Sequence, residues 1–366
     1  MLPYDGVMKK IFLAIILPFI VTCSSYKSKD FEKTEHLDVK KVEKDFNVDK
    51  KTLKKYFSTP KEVTPAKKEV KSNKAIVKSK IKEKKPKDEI KEKLKTDHLS
   101  KNQSKSGAIH YPIDYPEEFK ILEPKLKSIH KTFKTYVFRG EKLYIDISYL
   151  GVNAGQIVVE TLPDTTVGGV SVYHYYARLK SAAFYKYIYE LDDTIDSYVQ
   201  KDNFLSLKYT LLQRESGQNV DDIQIYDSKN LKTRSLYKRI KKKKNNAIKK
   251  WNKEAFIPAF YSDALSVLHY MRGLPLKVGD LYPLPVINKA KVLILNTKVI
   301  KKEKISTELG TFNAIKINVK SSYSGETIKS GDMTFWFSDD DRRILLKINA
   351  KIKIGSIVAE TVKYER

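Results

Sequence analysis

The sequence predicts a mainly β protein: one large curved antiparallel sheet, half-barrel or barrel-like, with a single packed helix near residues 261–272 and a disordered, lysine-rich tether before it. Beyond residue 110, short runs alternate apolar and polar side chains or are rich in β-branched residues, as strands with one buried face require. Gly, Asn, Asp and Pro separate these runs at short intervals, which favours hairpins over alternating βαβ units. The composition also divides in two. Residues 24–110 carry 26 lysines against 14 acids, with no Trp and no Arg, whereas both tryptophans (Trp251, Trp336) lie beyond. The chain of 366 residues therefore divides into 1–22, 23–110 and a β-rich domain over 111–366 that is long enough to bury a proper core.

The first element is a secretory leader. In residues 8–23 (MKKIFLAIILPFIVTC), Lys9 and Lys10 precede an apolar run over 11–21. Eleven apolar residues are too few to span a bilayer, which needs roughly 20. Met8 is the expected start, with residues 1–7 an upstream extension or misassignment. Ile20-Val21-Thr22-Cys23 resembles the bacterial lipobox, whose cysteine becomes the lipidated first residue, although Thr22 stands where Gly or Ala is usual. The plain alternatives are an unlipidated cleaved leader or a buried apolar helix with one buried thiol. Cys23 is the chain's only cysteine, so disulfides are excluded and stability must come from a core. By resemblance to the enterobacterial sorting rule, Ser24 after the cysteine implies the outer membrane.

Residues 23–110 read as the tether. Stretches such as 65–95 (PAKKEVKSNKAIVKSKIKEKKPKDEIKEKLK) cannot bury enough apolar surface to offset the entropy of ordering them. As a coil, roughly 85 residues have an r.m.s. span of about 50 Å. Val42, Phe46, Leu53 and Tyr56 have loose helical spacing, so short helical turns are expected at most over 42–57.

In the β-rich domain, strands are expected over 143–149, 156–161, 172–179, 197–200, 205–214, 222–226, 291–302, 312–320, 333–338 and 344–353. Residues 261–272 (YSDALSVLHYMR) place Leu265, Leu268 and Met271 at helical spacing, with Ser262 as N-cap and Gly273 as the residue after the last turn. Residues 184–191 read as a second short helix or an irregular loop. Residues 234–253 (RSLYKRIKKKKNNAIKKWNK) hold ten Lys/Arg and read as a solvated loop.

Four segments together resemble the bacterial family of domain of unknown function 3108: residues 140–160 (GEKLYIDISYLGVNAGQIVVE), 261–286 (YSDALSVLHYMRGLPLKVGDLYPLPV), 308–319 (ELGTFNAIKINV) and 335–362 (FWFSDDDRRILLKINAKIKIGSIVAETV). The resemblance covers essentially all of 136–366 and implies an exported envelope protein without an assigned activity. Its curved sheet is similar to periplasmic lipoprotein-carrier half-barrels, which is analogy at the level of fold. The long tether and the run Lys241 to Lys244 depart from the family pattern.

No reaction centre stands out. The six histidines (His36, His98, His110, His130, His174, His269) lack ligand spacing, so no metal site is expected. Ser262, Asp263 and His269 could be arranged into a hydrolase triad, but no nucleophile-elbow glycines surround the serine, and a cap with a helix-face histidine explains them better. Asp339-Asp340-Asp341 lacks the staggered ligands a hard cation needs and reads as a hairpin turn. No phosphate-cradling glycine loop or other cofactor motif is present.

Alternating tyrosines from Tyr173 to Tyr189 fit a strand and its core. Tyr173, Tyr175, Phe184, Tyr187 and Trp336 are the candidates for an apolar ligand groove. Lys238, Arg239, Lys241, Lys242, Lys243 and Lys244 are the candidates for contact with an anionic envelope surface, each near-surface lysine contributing about 1 kcal/mol. The net charge of +27 invites a nucleic-acid reading, which the secretion signal opposes. The expected function is a non-enzymatic, lipid-anchored envelope protein whose β-domain binds a lipid-like ligand. The alternatives are a scaffold binding a protein or wall polymer, and thirdly an unrecognised hydrolase. The expected partners are a membrane through Cys23 and a lipid or anionic polymer.

Overall fold

A computed structural model of the chain describes residues 39–46, 48–57, 111–183, 189–323, 326–327, 332–352 and 355–366. The leader, Cys23 and residues 58–110 lie outside the described residues.

Eight strands follow one another as an antiparallel meander: β1 (Lys142–Tyr149), β2 (Val152–Val167), β3 (Val170–Ser181), β4 (Asp192–Gln200), β5 (Ser206–Arg214), β6 (Gln218–Asp227), β7 (Lys232–Lys241) and β8 (Ala247–Phe256). A second antiparallel set comprises β9 (Leu281–Asn288), β10 (Lys291–Thr307), β11 (Gly310–Tyr323), β12 (Glu326–Thr327), β13 (Met333–Ser338), β14 (Leu345–Lys351) and β15 (Ser356–Glu365). The two sets fuse where the last strand pairs with the first, Ile147 opposite Ala359. One continuous sheet results, with β8 and β9 at its edges.

The sheet curls without closing. The β9–β10 turn returns against β6, where Lys289 Nζ lies 3.6 Å from Asp222 Oδ2 and Lys289 N–H donates to Gln224 Oε1 at 3.1 Å. The segment joining β8 to β9 crosses the inside of this curve and carries helix α4. Helices α1 (Val39–Phe46) and α2 (Lys50–Tyr56) precede the sheet, as does α3 (Glu117–Thr132); α4 is Ser266–Arg272.

Strand alternation sends two apolar rows to opposite faces. The inner row (Ile147, Ile157, Tyr175, Val199, Tyr209, Tyr226, Ile317, Phe335, Phe337) surrounds α4, all seven of whose residues are buried. An outer row on the first meander (Val172, Tyr198, Leu207, Ile223, Ile225, Leu236) is covered by Val42 and Phe46 of α1, Leu53 and Tyr56 of α2, and the flanking Val48 and Phe57. The tether expected over 23–110 is thus corrected over 39–57. Helices this short are marginal alone, so packing on the sheet is what forms them.

Residues 234–253 are likewise not a loop but the β7–β8 hairpin. Its turn places Asn245 and Asn246 at φ of 47° and 54°, with Ala247 N–H donating to Lys244 O at 2.8 Å. Positive φ at both central positions is the turn that matches strand twist, and Asn tolerates it.

The predicted helix near 261–272 forms with two corrections. Asp263, not Ser262, holds its N-terminus: Asp263 Oδ1 accepts the N–H groups of Leu265 (2.9 Å) and Ser266 (2.8 Å). Ser262 instead bridges to β9 through its backbone, donating to Pro285 O and accepting from Ile287 N–H, both at 3.0 Å. Gly273 has φ −84°, so it is not left-handed; a Cβ there would lie 2.2 Å from the Phe133 ring and 2.3 Å from Lys134 O. Close approach of the α3 end selects glycine at this position.

Candidate functional site

The interior of the curve was the expected ligand site, and α4 occupies it. Asp263 Oδ2 accepts the hydroxyls of Ser197 (2.6 Å) on β4 and Ser206 (2.7 Å) on β5, pinning the helix start to the sheet. Burial raises the Asp263 carboxyl, and these serine and backbone donors oppose the rise. At the other end Arg272 forms two hydrogen bonds of 2.5 Å with Glu141 and donates to Arg342 O. This ion pair is almost wholly buried. Between these ends His269 stacks on Tyr175 at 3.7 Å between ring centroids. Burial, with Arg272 nearby, lowers the imidazole to about 3, so it is neutral. His269, Ser262 and Asp263 thus serve packing, strand bridging and capping.

Among the described residues, the space beside α4 is small. The pocket between α3, α4 and β9, lined among others by Leu126, His130, Phe260 and Tyr270, holds about 20 Å³. That is room for one water, far below the roughly 300–1,000 Å³ of ligand sites. An outer cleft of about 360 Å³ lies between α2, Pro112 and the β6–β8 strands, and charged or polar groups such as Asp227, Lys232, Arg234 and Glu254 line much of it.

Of the groove candidates, the three among the described residues, Tyr173, Tyr175 and Trp336, do not line one groove. Tyr175 is fully buried in the inner core, and Tyr173 packs at its margin beside Phe204. Trp336 stands on the outer face: Met333, Phe335 and Phe337 point inward on β13, while Trp336 Nε1 donates to Glu303 at 2.9 Å. Hydrogen bonds from Lys301 and Trp336 hold the Glu303 carboxyl down at about 2. Phe184 and Tyr187 lie outside the described residues, as do residues 185, 186 and 188 of the expected helix or loop over 184–191.

A buried acidic pair went unnoticed in the sequence. Gln213 Nε2 donates to Asp193 Oδ2 (3.1 Å) and Glu215 Oε1 (2.9 Å), and Tyr189 OH donates to Glu215. Burial, then the neighbouring Glu215 charge, pushes the Asp193 carboxyl up; burial also raises Glu215. The pair joins β4 to the β5–β6 turn. Its members stand 22 positions apart, so only strand pairing brings them together. Among the described residues no group of three or more His, Cys, Asp or Glu side chains is placed to hold a metal. Asp339-Asp340-Asp341 forms the expected turn: Asp340 Oδ1 accepts the N–H groups of Arg342 and Arg343, both at 3.1 Å.

The basic candidates divide between the hairpin tip and the two faces of the β7–β8 pair. Arg239 and Lys241 to Lys244 run up β7 into the hairpin tip, and Lys249 and Lys253 of the same basic stretch 234–253 stand exposed on the face of β8 that carries Trp251. Trp251 stacks on Tyr237 at 3.9 Å, with Lys249 Nζ 5.3 Å and Lys253 Nζ 5.5 Å from its ring. Lys238 and the Lys250 opposite it lie on the other face, against α1: Lys238 pairs with Asp45 at 2.7 Å and Lys250 donates to Asp45 O at 3.4 Å. Lys242 donates to Glu215 O at 2.8 Å and fastens the tip to the β5–β6 turn. Lysines along β8 also blunt an edge strand that would otherwise invite pairing with another chain.

These features define a barrel-like β domain filled by its own helix and carrying a basic hairpin on one edge. Residues 144–362 match the family described as protein of unknown function (DUF3108), and the chain belongs to that family. The chain resembles a β-barrel-like protein of the DUF1849 family from Brucella abortus at 10% identity, covering 62% of this chain and 96% of that one with a TM-score of 0.43. A lipoprotein candidate from Parabacteroides distasonis aligns at 13% identity over 64% of this chain and 99% of that one, TM-score 0.30. An exported-protein candidate from Bacteroides fragilis aligns at 8% identity over 64% and 100%, TM-score 0.30. No curated protein matches the sequence.

Proposed function

We propose that this chain is a non-enzymatic cell-envelope protein that acts through its surface, its β7–β8 hairpin contacting anionic lipid headgroups on the membrane to which Cys23 anchors it. The observation that carries this reading is the contrast between the two faces. Among the described residues, α4 packs inside the curve that a lipid carrier would keep open and the pocket beside it holds about 20 Å³, while the hairpin tip and β8 stand exposed with their lysines. Each lysine near an anionic surface contributes about 1 kcal/mol, an effect that fades within a Debye length. The Trp251–Tyr237 stack beside those lysines suits a headgroup boundary, where one part of a ring is apolar and another wet. The leader and lipobox support an envelope location, and Ser24 supports the outer membrane.

The test compares the chain begun at Ser24 with its Lys243→Glu/Lys244→Glu variant by sedimentation with phosphatidylcholine vesicles, with and without phosphatidylglycerol. Residues 58–110 are identical in both proteins, so the difference reports the hairpin. The reading expects binding only to the anionic vesicles, weakened about tenfold or more in the variant. Equal binding of both proteins contradicts it. Selective capture on purified wall sacculi instead would favour the wall-polymer scaffold.

A further inference from the structure

Helices α1 and α2 come from the stretch that composition assigns to a spacer, yet they are built onto the sheet. Asp49 caps α2 through Thr52 N–H at 2.8 Å. Val42, Phe46, Leu53, Tyr56 and Phe57 are buried against the outer apolar row. Gly168, in the β2–β3 turn with φ +57°, has no side chain because Lys55 O would lie 2.1 Å from its Cβ.

The contacts also give a direction. Asp45 pairs with Lys238 at 2.7 Å and Asp49 with Arg234 at 3.4 Å, so the chain descends β7 away from the hairpin tip. It therefore enters α1 from the tip side. At the far end Thr52, Tyr56 and Pro112 line one cleft, and Tyr115 OH donates to Ile257 O at 2.9 Å. Residue 57 thus leaves the sheet beside the place to which residue 112 returns.

We propose that α1–α2 is a clamp that fastens the anchored end of the chain to the outer face of the barrel beside the basic hairpin. Residues 24–38 are then the whole span between Cys23 and the barrel, and residues 58–110 are tied down at both ends and add nothing to its reach. This rests on the reading of Cys23 as the anchor. Fifteen residues reach about 50 Å at full extension and about 20 Å as a coil. An 85-residue spacer would span about 50 Å as a coil and several times that extended. The clamp therefore keeps the hairpin close to the surface it is proposed to touch.

The test places a protease site between Ser104 and Lys105 of the full chain, with an affinity tag at the C-terminus. Membranes carrying the protein are cleaved and washed in about 0.5 M salt, which screens hairpin contacts. The clamp predicts that the barrel stays with the membrane after cleavage, and that Val42→Asp/Phe46→Asp lets it go. Release of the cleaved barrel with unaltered α1 and α2 into the wash, or equal retention in the clamp variant, overturns the proposal. Capture on the tag after solubilisation gives a second reading that does not depend on lipidation. There the fragment ending at Ser104 is expected to co-purify at a one-to-one ratio, and its loss overturns the clamp. Gly168→Val repeats the comparison from the barrel side. Protein already soluble before cleavage would contradict the anchor reading alone, and the tag capture would then decide the clamp.

Discussion

His269 is a titratable ring placed where a charge has no counter-ion. Its value falls from 6.5 to about 3 through burial, so the unfolded chain takes up a proton that the folded chain refuses. The stability it contributes is present above pH 6.5 and is lost as pH falls toward 3. At pH 5 the loss is about 2 kcal/mol. Denaturation of His269→Phe against the native chain at pH 7 and pH 5 should show the variant gaining by about that amount at the lower pH; a constant difference would mean that the ring is hydrated. Asp222 has the opposite sign. Burial raises it from 3.8 to about 6 against the pull of Lys289, so its contribution declines as pH rises through that interval. Asp222→Asn should flatten this part of the stability profile.

The Arg272–Glu141 pair belongs to the same scale. Arg272→Ala leaves Glu141 buried without its partner and should cost about 3–5 kcal/mol in chemical denaturation, whereas Arg272→Met with Glu141→Gln should recover part of it. The residues 262 to 269 were legible as a helix start with a helix-face histidine. That Asp263 rather than Ser262 does the capping was not, because the choice depends on Ser197 and Ser206, which lie 66 and 57 positions away.

At the level of elements, local alternation made β1 to β6, β10, β11, β13 and β14 readable, and the apolar spacing of Leu265, Leu268 and Met271 made α4 readable. In β7 and β8, lysines occupy the outward positions so densely that composition outweighs period, and the Asn245-Asn246 pair between two basic runs was the signal present. In α1 and α2 the spacing of Val42, Phe46, Leu53 and Tyr56 was legible as short helical turns, but not their packing on the sheet. Helix α3 was hidden by Pro124 within it. Gly273→Ala tests the junction between α3 and α4. Its methyl group must displace the Phe133 ring or the backbone at Lys134, so the variant should lose about 1–3 kcal/mol of unfolding free energy. An unchanged midpoint would show that the two helices are not in close contact there.

For the whole molecule, the decisive facts are nonlocal. No short-range pattern says that β15 pairs with β1, or that the segment between the two edge strands folds inward and fills the curve. Sequence could state the curved sheet and the location of the basic run, but a filled interior follows only from where α4 packs. That packing is why the proposed contact surface lies on the β7–β8 hairpin rather than inside the sheet.

The most direct measurement is native mass spectrometry of the chain begun at Ser24 after refolding with extracted envelope lipids and washing in about 0.5 M salt. A filled barrel predicts the mass of the polypeptide alone; one lipid retained per chain would contradict it.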